Sequence, residues 1–435
     1  MLSDTSLPVI QATLPVVGEH IEEIAKRFYK HMFEAQPDLL DGLFNRGNQA
    51  DGRQQQALAG SIAAFAGMLV EKPDQVPDHL LSRVAHKHVS LGLSPDQYQI
   101  VHDHLMWAIV DVLGDAVTPE VAAAWDEVYW LMANLLINKE RGLYNAVHLS
   151  PETIWRTWRV VQRIQETADV ISFVVERTDE RDVKPSLPGQ YVTLKMTMPD
   201  GVQQPRQYSL TKADDGQHRQ FAVKRVHGLP TPDGEMSSLL HNDVKVGDEV
   251  VLSAPFGDVV LEYTDRPLVM ASAGIGITPM AGMLSHLVQS GSRRQVMLLH
   301  ADDSEASFPL RAQVREDLAK LADGTLKTWF LTPAETAGTG EAAGTGGARE
   351  TGEARETGEA RETGEARETG EASGSVFSGF MDVSDVELPD DAEYYLCGPL
   401  PFLKSVRSAL IAGGVPAKDI QYEVFGPDLW LADFQ

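Results

Sequence analysis

Apolar residues recur every three or four positions through the first third of the chain. Leu58, Ile62, Phe65 and Leu69 fall on one helix face, and Ile21, Ile24 and Phe28 repeat the device. The pairs Asp41-Gly42, Pro73-Asp74 and Ser94-Pro95 interrupt this period as turns. Pro95 suits the first turn of a helix, with Ser94 as its cap. Residues 1–148 therefore read as an all-α unit.

Near Ser150-Pro151 the period shortens. Trp158-Arg159-Val160-Val161, Val170 to Val175, Tyr191 to Leu194 and Phe221 to Lys224 are β-rich runs separated by Pro, Gly and Asp turns. Short strands at this spacing predict a small antiparallel β-barrel over residues 153–264. From Pro267 the pattern alternates again: Leu268–Ser272, helix, Val296–His300, helix, Lys327–Leu331, then Glu393–Cys397 and helix. That alternation predicts a parallel α/β sheet over residues 265–435. Pro267 to Val288 lacks any Asp, Glu, Lys or Arg, but Gly274, Gly276, Pro279 and Gly282 interrupt it. A strand, a glycine turn and a new helix fit better than a membrane span.

Residues 334–375 carry Thr-Gly-Glu-Ala-Arg-Glu in tandem, with threonines at 351, 357, 363 and 369. No unit offers an apolar face to bury, so the segment is expected to be a disordered surface loop.

The formal net charge is −26, which argues against nucleic acid or an anionic membrane surface as partner. Cys397 is the one cysteine. It can form neither an internal disulfide nor, alone, an iron–sulfur cluster, and any haem must be held without a thioether bond. Met1-Leu2-Ser3-Asp4 lacks a secretory pattern, so the expectation is a cytoplasmic protein without stable membrane insertion.

Four motifs in order carry the chemistry. Arg206-Gln207-Tyr208-Ser209, after Tyr191 of Pro188-Gly189-Gln190-Tyr191, offers a guanidinium fork for phosphate and rings for a flat apolar surface. Gly234-Glu235-Met236-Ser237 should open a helix whose N–H groups face an anion. Gly274-Ile275-Gly276-Ile277-Thr278-Pro279 joins a strand to a helix, where glycine admits close backbone approach. Tyr395-Leu396-Cys397-Gly398-Pro399 ends another strand. Singly these are weak: a lone Arg is usually a surface charge, a Gly-x-Gly usually a turn, and Cys397 reads most simply as a small buried residue.

Together they resemble the ferredoxin-NADP reductase superfamily, which moves electrons from a nicotinamide to a flavin. The resemblance implies that Tyr191, Arg206, Gln207, Tyr208, Ser209, Gly234 and Ser237 hold FAD. It implies that Gly274, Ile275, Gly276, Ile277, Thr278, Pro279, Cys397, Gly398 and Pro399 meet NADH or NADPH.

In front, Phe28-Tyr29, Met32-Phe33, Phe44-Asn45, Gln54, Lys87-His88, Asp96-Gln97-Tyr98 and Ile137-Asn138-Lys139-Glu140 resemble the globin domain of flavohaemoglobins. The match spans the whole chain except the repeat. It implies a haem b with His88 as the iron ligand, Tyr98 and Glu140 as the proximal pair behind the imidazole, and Tyr29 and Gln54 as distal donors. Thirteen histidines are present, and spacing alone leaves His86 as a competitor. Only one of the two can face the iron, since positions two apart on a helix diverge. Val424, Phe425, Gly426 and Pro427 match the segment that lies against the flavin. Lys87 and Glu423 match residues that tune haem and flavin. Val424 and Ile277 stand where relatives often carry Cys and Gln.

The activity this resemblance implies is nitric oxide dioxygenation, joining NO and O2 to nitrate with electrons passed from NAD(P)H through FAD to haem, in a monomer. The alternatives are an NADH-dependent flavin or haem reductase or oxidase, and a redox- or gas-sensing globin. The acids Asp302, Asp303 and Glu305, after strand Val296–His300, lean the nicotinamide choice toward NADH, because carboxylates repel a 2′-phosphate.

Overall fold

A computed structural model describes the chain except residues 45, 48–51, 76–77, 183–184, 229–232, 333–366, 370–373 and 427–435. Among the described residues, five long helices build the first unit: α1 (Ser6–Ala35), α2 (Arg53–Glu71), α3 (Asp78–Leu91), α4 (Asp96–Leu113) and α5 (Pro119–Val147). The apolar stripe read from the sequence faces inward: Phe28, Phe65 and Leu69 are buried in one core with Ile24, Leu105 and Trp125, and Leu58 and Ile62 pack on it. At the start of α4, Ser94 acts through its backbone rather than as a side-chain cap. Its N–H donates to Gln97 Oε1 (2.9 Å) and its carbonyl accepts from Gln97 N–H (3.2 Å).

The second unit is a six-stranded antiparallel sheet in the order β4-β3-β6-β1-β2-β5. Its strands are β1 (Arg156–Gln165), β2 (Val170–Arg177), β3 (Tyr191–Thr197), β4 (Gln203–Ser209), β5 (His218–Lys224) and β6 (Glu249–Leu252). A bridge from Leu210 to Phe221 joins the end next to β4 to β5 and closes the sheet into the expected barrel. Phe173, Phe221 and Trp158 fill it, and α6 (Glu235–Asn242) lies against it.

The third unit is a seven-stranded sheet, β10-β11-β9-β8-β7-β12-β13. Its strands are β7 (Leu268–Ala273), β8 (Val296–Asp302), β9 (Gly324–Phe330), β10 (Arg367–Thr369), β11 (Gly374–Ser378), β12 (Glu393–Cys397) and β13 (Ile420–Glu423), with helices α7 (Ile277–Gln289), α8 (Arg311–Lys320) and α9 (Leu400–Ala412). All neighbours are parallel except β10. Pro267 to Val288 is thus strand, turn and helix, and among the described residues no helix is long and apolar enough to cross a membrane.

The repeat needs one correction. Most of residues 334–375 lies outside the described residues, but Gly374 and Ser375 pair with Leu326 and Lys327 of β9, and Arg367–Thr369 pairs with β11. The sheet edge therefore reaches back into the segment expected to be structureless, because backbone pairing needs no apolar side chain.

Candidate functional site

The helices of the first unit bring three of the expected residues into one network. His88 lies in the last turn of α3, Tyr98 in the first turn of α4 and Glu140 in the C-terminal half of α5. Glu140 Oε1 accepts from His88 Nδ1 at 2.8 Å and from the Tyr98 hydroxyl at 2.5 Å. Glu140 is buried, and a buried carboxylate persists only where donors satisfy it. Burial and the neighbouring Glu140 charge push the Tyr98 phenol far above its ordinary pKa, so it remains a donor. With Nδ1–H committed to a carboxylate, His88 keeps the Nε2 lone pair for a metal. This donor set fits a haem iron held by one imidazole.

Tyr29 sits on α1, buried among Phe28, Phe33 and Phe44. Gln54, in the first turn of α2, donates through Nε2 to the Tyr29 hydroxyl at 3.4 Å. Burial pushes the Tyr29 phenol up to about 12, so its proton stays available to an acceptor at neutral pH.

His86 is placed elsewhere. Its Nδ1 accepts from Gly257 N–H at 3.0 Å, across the boundary with the barrel. Of the two histidines that spacing left open, His88 is the one whose Nδ1 meets the Tyr98–Glu140 network. Ser90 also faces the barrel and accepts from Thr193 Oγ1 at 2.9 Å. Gln207 Nε2 in turn donates to Thr193 Oγ1 at 3.2 Å. The Lys87 carbonyl accepts from Ser90 Oγ at 2.8 Å.

On the barrel, Arg206 donates to the Pro205 carbonyl at 2.7 Å. Burial, with Arg46 nearby, pulls its guanidinium below the ordinary value, and a bound phosphate would reverse that shift. Tyr208 stacks on Phe221 inside β4, and Ser209 is buried at its end. A Cβ on Gly234 would stand 2.8 Å from Val226 Cβ and 2.7 Å from Ser237 Oγ, so glycine opens α6 without displacing Val226. Ser237 accepts from Val226 N–H (3.1 Å) and donates to the Gly234 carbonyl (3.0 Å). Glycine, helix start and part-buried arginine fit a polyphosphate-bearing cofactor.

The third unit distributes its motif unevenly. Gly274 adopts φ +54° with open space beside it, a turn that suits glycine. Gly276 is needed for another reason: a Cβ there would stand 2.3 Å from the Cys397 carbonyl oxygen. The glycine admits protein backbone at this position. Ile277, Thr278 and Pro279 are buried in α7, Thr278 Oγ1 donates to the Ile275 carbonyl, and Cys397 is fully buried. Tyr395 anchors the linker from the barrel, accepting from Glu262 N–H (3.0 Å) and donating to the Val260 carbonyl (3.1 Å). Gly398 and Pro399 lead into α9. Of the three acids near β8, Asp302 Oδ1 accepts from Ser307 Oγ (2.6 Å), and Glu305 pairs with Arg311 (2.5 Å) and Arg315 (3.4 Å). Asp303 remains exposed. The lean toward NADH therefore rests on fewer free charges than the sequence presents.

Glu423 ends β13 and is buried, where its charge raises the Cys397 thiol and Tyr191 phenol beyond the shift from burial. Val424 is half-buried, Phe425 is 44% exposed and Gly426 has φ +121°. Pro427 lies outside the described residues. Motif reading missed Arg83, His86 and Ser90 as contacts between units. Their spacing of three and four along α3 is one polar stripe, and that is the signal that could have found them.

Comparison with known proteins follows this division. Residues 26–136 match Globin, residues 157–261 the Oxidoreductase FAD-binding domain, and residues 270–348 the Oxidoreductase NAD-binding domain. A Flavohemoprotein of Rhizobium meliloti is 36% identical over 99% of this chain and 100% of its own length. One from Chromobacterium violaceum is 37% identical over 98% of each. The crystal structure of flavohemoglobin from Malassezia yamatoensis with bound FAD and heme superposes with a TM-score of 0.82 at 37% identity, covering 98% of this chain and 100% of that one. The FAD/NAD-binding domain of nitric oxide dioxygenase from Vibrio cholerae covers 62% of this chain and 99% of that one, at 31% identity and a TM-score of 0.51. With full-length relatives on this scale and a haem, flavin and nicotinamide unit in the same order, the chain belongs to the flavohaemoprotein family, oxidoreductases that join a globin to a reductase.

Proposed function

We propose that this chain is a nitric oxide dioxygenase, joining NO and O2 to nitrate at the expense of NAD(P)H. The observation that carries the reading is the pairing of buried Tyr29 and its half-buried donor Gln54 with the His88–Tyr98–Glu140 network in a chain that also holds a reductase. Bound haem and flavin supply the electron transfer and the oxygen chemistry. The chain's own residues set the conditions for it. Glu140 keeps the His88 Nδ1 proton in place and makes the imidazole more basic, which favours the electron-rich metal that oxygen activation needs. Tyr98 donates to the same oxygen and holds the carboxylate still. Tyr29 O–H would offer a hydrogen-bond donor to negative charge developing on a bound ligand, in a site lined by aromatic rings. Gln54 orders that hydroxyl. Arg206 and the start of α6 are suited to the flavin's phosphates, and the turn at Gly274 to the nicotinamide.

The test is NADH-driven consumption of NO in air-saturated buffer with nitrate counted against it. One nitrate per NO supports the reading. Oxygen uptake that NO leaves unchanged, with no nitrate formed, would assign the chain to the oxidases instead.

A further inference from the structure

Arg83 lies five residues before His88 on α3, and its guanidinium reaches both reductase units. It stands 4.4 Å over the ring of Tyr422 and donates through Nη2 to the Tyr422 carbonyl at 2.6 Å. Its Nε is 3.7 Å from Asp258 Oδ1. Tyr422 belongs to β13, in the third unit, and the next residues are Glu423, Val424 and Phe425. Asp258 belongs to the barrel, directly after Gly257, whose N–H meets His86 one turn along α3.

We propose that Arg83 is a positioning residue for electron transfer, a clamp that fixes the proximal helix of the globin unit against both reductase units beside the flavin-facing segment. The inference rests on the reading of the chain as one that passes electrons from flavin to haem.

Contacts between units within a chain are mobile by default, and electron transfer falls steeply as its two centres separate. A fixed separation therefore needs a specific lock near the shortest route. Arg83 has the chemistry for one. A planar guanidinium stacks on a ring, donates to a carbonyl and faces a carboxylate at once, whereas an ammonium cannot satisfy all three directions. The contacts also differ in origin. Asp258 fixes α3 to the barrel, and Tyr422 fixes it to the strand whose continuation carries Glu423 and Phe425. Any shift of that strand is thereby felt on the helix that carries His88.

The experiment is anaerobic stopped-flow mixing of the holoenzyme with excess NADH, following flavin and haem absorbance separately. In Arg83→Met, flavin reduction should stay within about twofold of wild type while haem reduction slows about tenfold or more, as expected for misplacement without lost chemistry. Arg83→Lys should recover part of the rate. Hydrogen exchange of the holoenzyme should show amides 256–258 of Arg83→Met opening about fivefold faster, a readout independent of turnover. If Arg83→Met loses a cofactor, Asp258→Asn is the variant to use, with a slowing of haem reduction in the same sense. Haem reduction at the wild-type rate in the cofactor-replete variant overturns the proposal. Wild-type haem that NADH leaves oxidised refutes the functional reading beneath it, and the proposal with it.

Discussion

The Nδ1–H of His88 points at Glu140 Oε1 across 2.8 Å, so the residue expected to hold iron is oriented by a buried charge two helices away. Replacing Glu140 with Gln keeps an acceptor and removes the charge. A charge-assisted bond exceeds a neutral one by about 1 kcal/mol. The haem midpoint potential should therefore rise by about 40 mV, read by spectroelectrochemistry, with NO consumption falling. An unchanged potential would remove Glu140 from the proximal side.

His88→Ala should lose haem and keep FAD, because ligand and flavin residues lie in separate units. NADH should still reduce ferricyanide at close to the wild-type rate. Full haem retention would send the ligand assignment elsewhere in the helical unit.

Tyr29→Phe should keep both cofactors and speed O2 dissociation. Loss of a hydrogen bond to a charged acceptor costs about 1.5–3 kcal/mol, roughly 10- to 150-fold in rate. Flash photolysis or stopped-flow measures the off-rate directly.

Tyr29 also sets an alkaline limit. Burial pushes its phenol from the ordinary value near 10 up to about 12 in the fold. The neutral phenol is favoured by the fold, so this stability is fully present below pH 10 and is lost as pH rises toward 12. Tyr395, pushed to about 12 by burial, acts in the same sense. Urea midpoints should hold steady from pH 7 to about 9.5 and fall beyond it, less steeply in Tyr29→Phe.

Gly276→Ala places a methyl 2.3 Å from the Cys397 carbonyl. Overpacking of this kind costs about 1–3 kcal/mol. Thermal unfolding should shift down, and KM for the nicotinamide should rise while the haem spectrum stays unchanged.

Much of this was legible in the sequence because periodicity and turn chemistry are local. The stripe through Phe65 gave a core helix, and the glycine turn after Leu268–Ser272 fell where the structure has it. What depended on remote partners was not legible. Nothing near Gly276 in sequence announces the Cys397 carbonyl. His86 and His88 looked alike until Gly257 and Glu140 distinguished them. Ser94 read as a side-chain cap, although Gln97 closes that turn by accepting from the Ser94 backbone. The β10 edge, Arg367–Thr369, was hidden inside a repeat whose composition has no strand signal.

That edge gives the repeat an obligation. β9 and β11 run parallel, with Gly374 beside Leu326 and Ser378 beside Phe330, so the chain leaving Phe330 must come back four residue steps, about 13 Å at roughly 3.3 Å per residue, before β11 can begin. β10, Arg367–Thr369, runs antiparallel to β11 and supplies the last part of that return, so the hexad that holds these residues is tied to the sheet: shortening the repeat through them removes an edge strand and bares β11, and the strand edge sets where a deletion must stop.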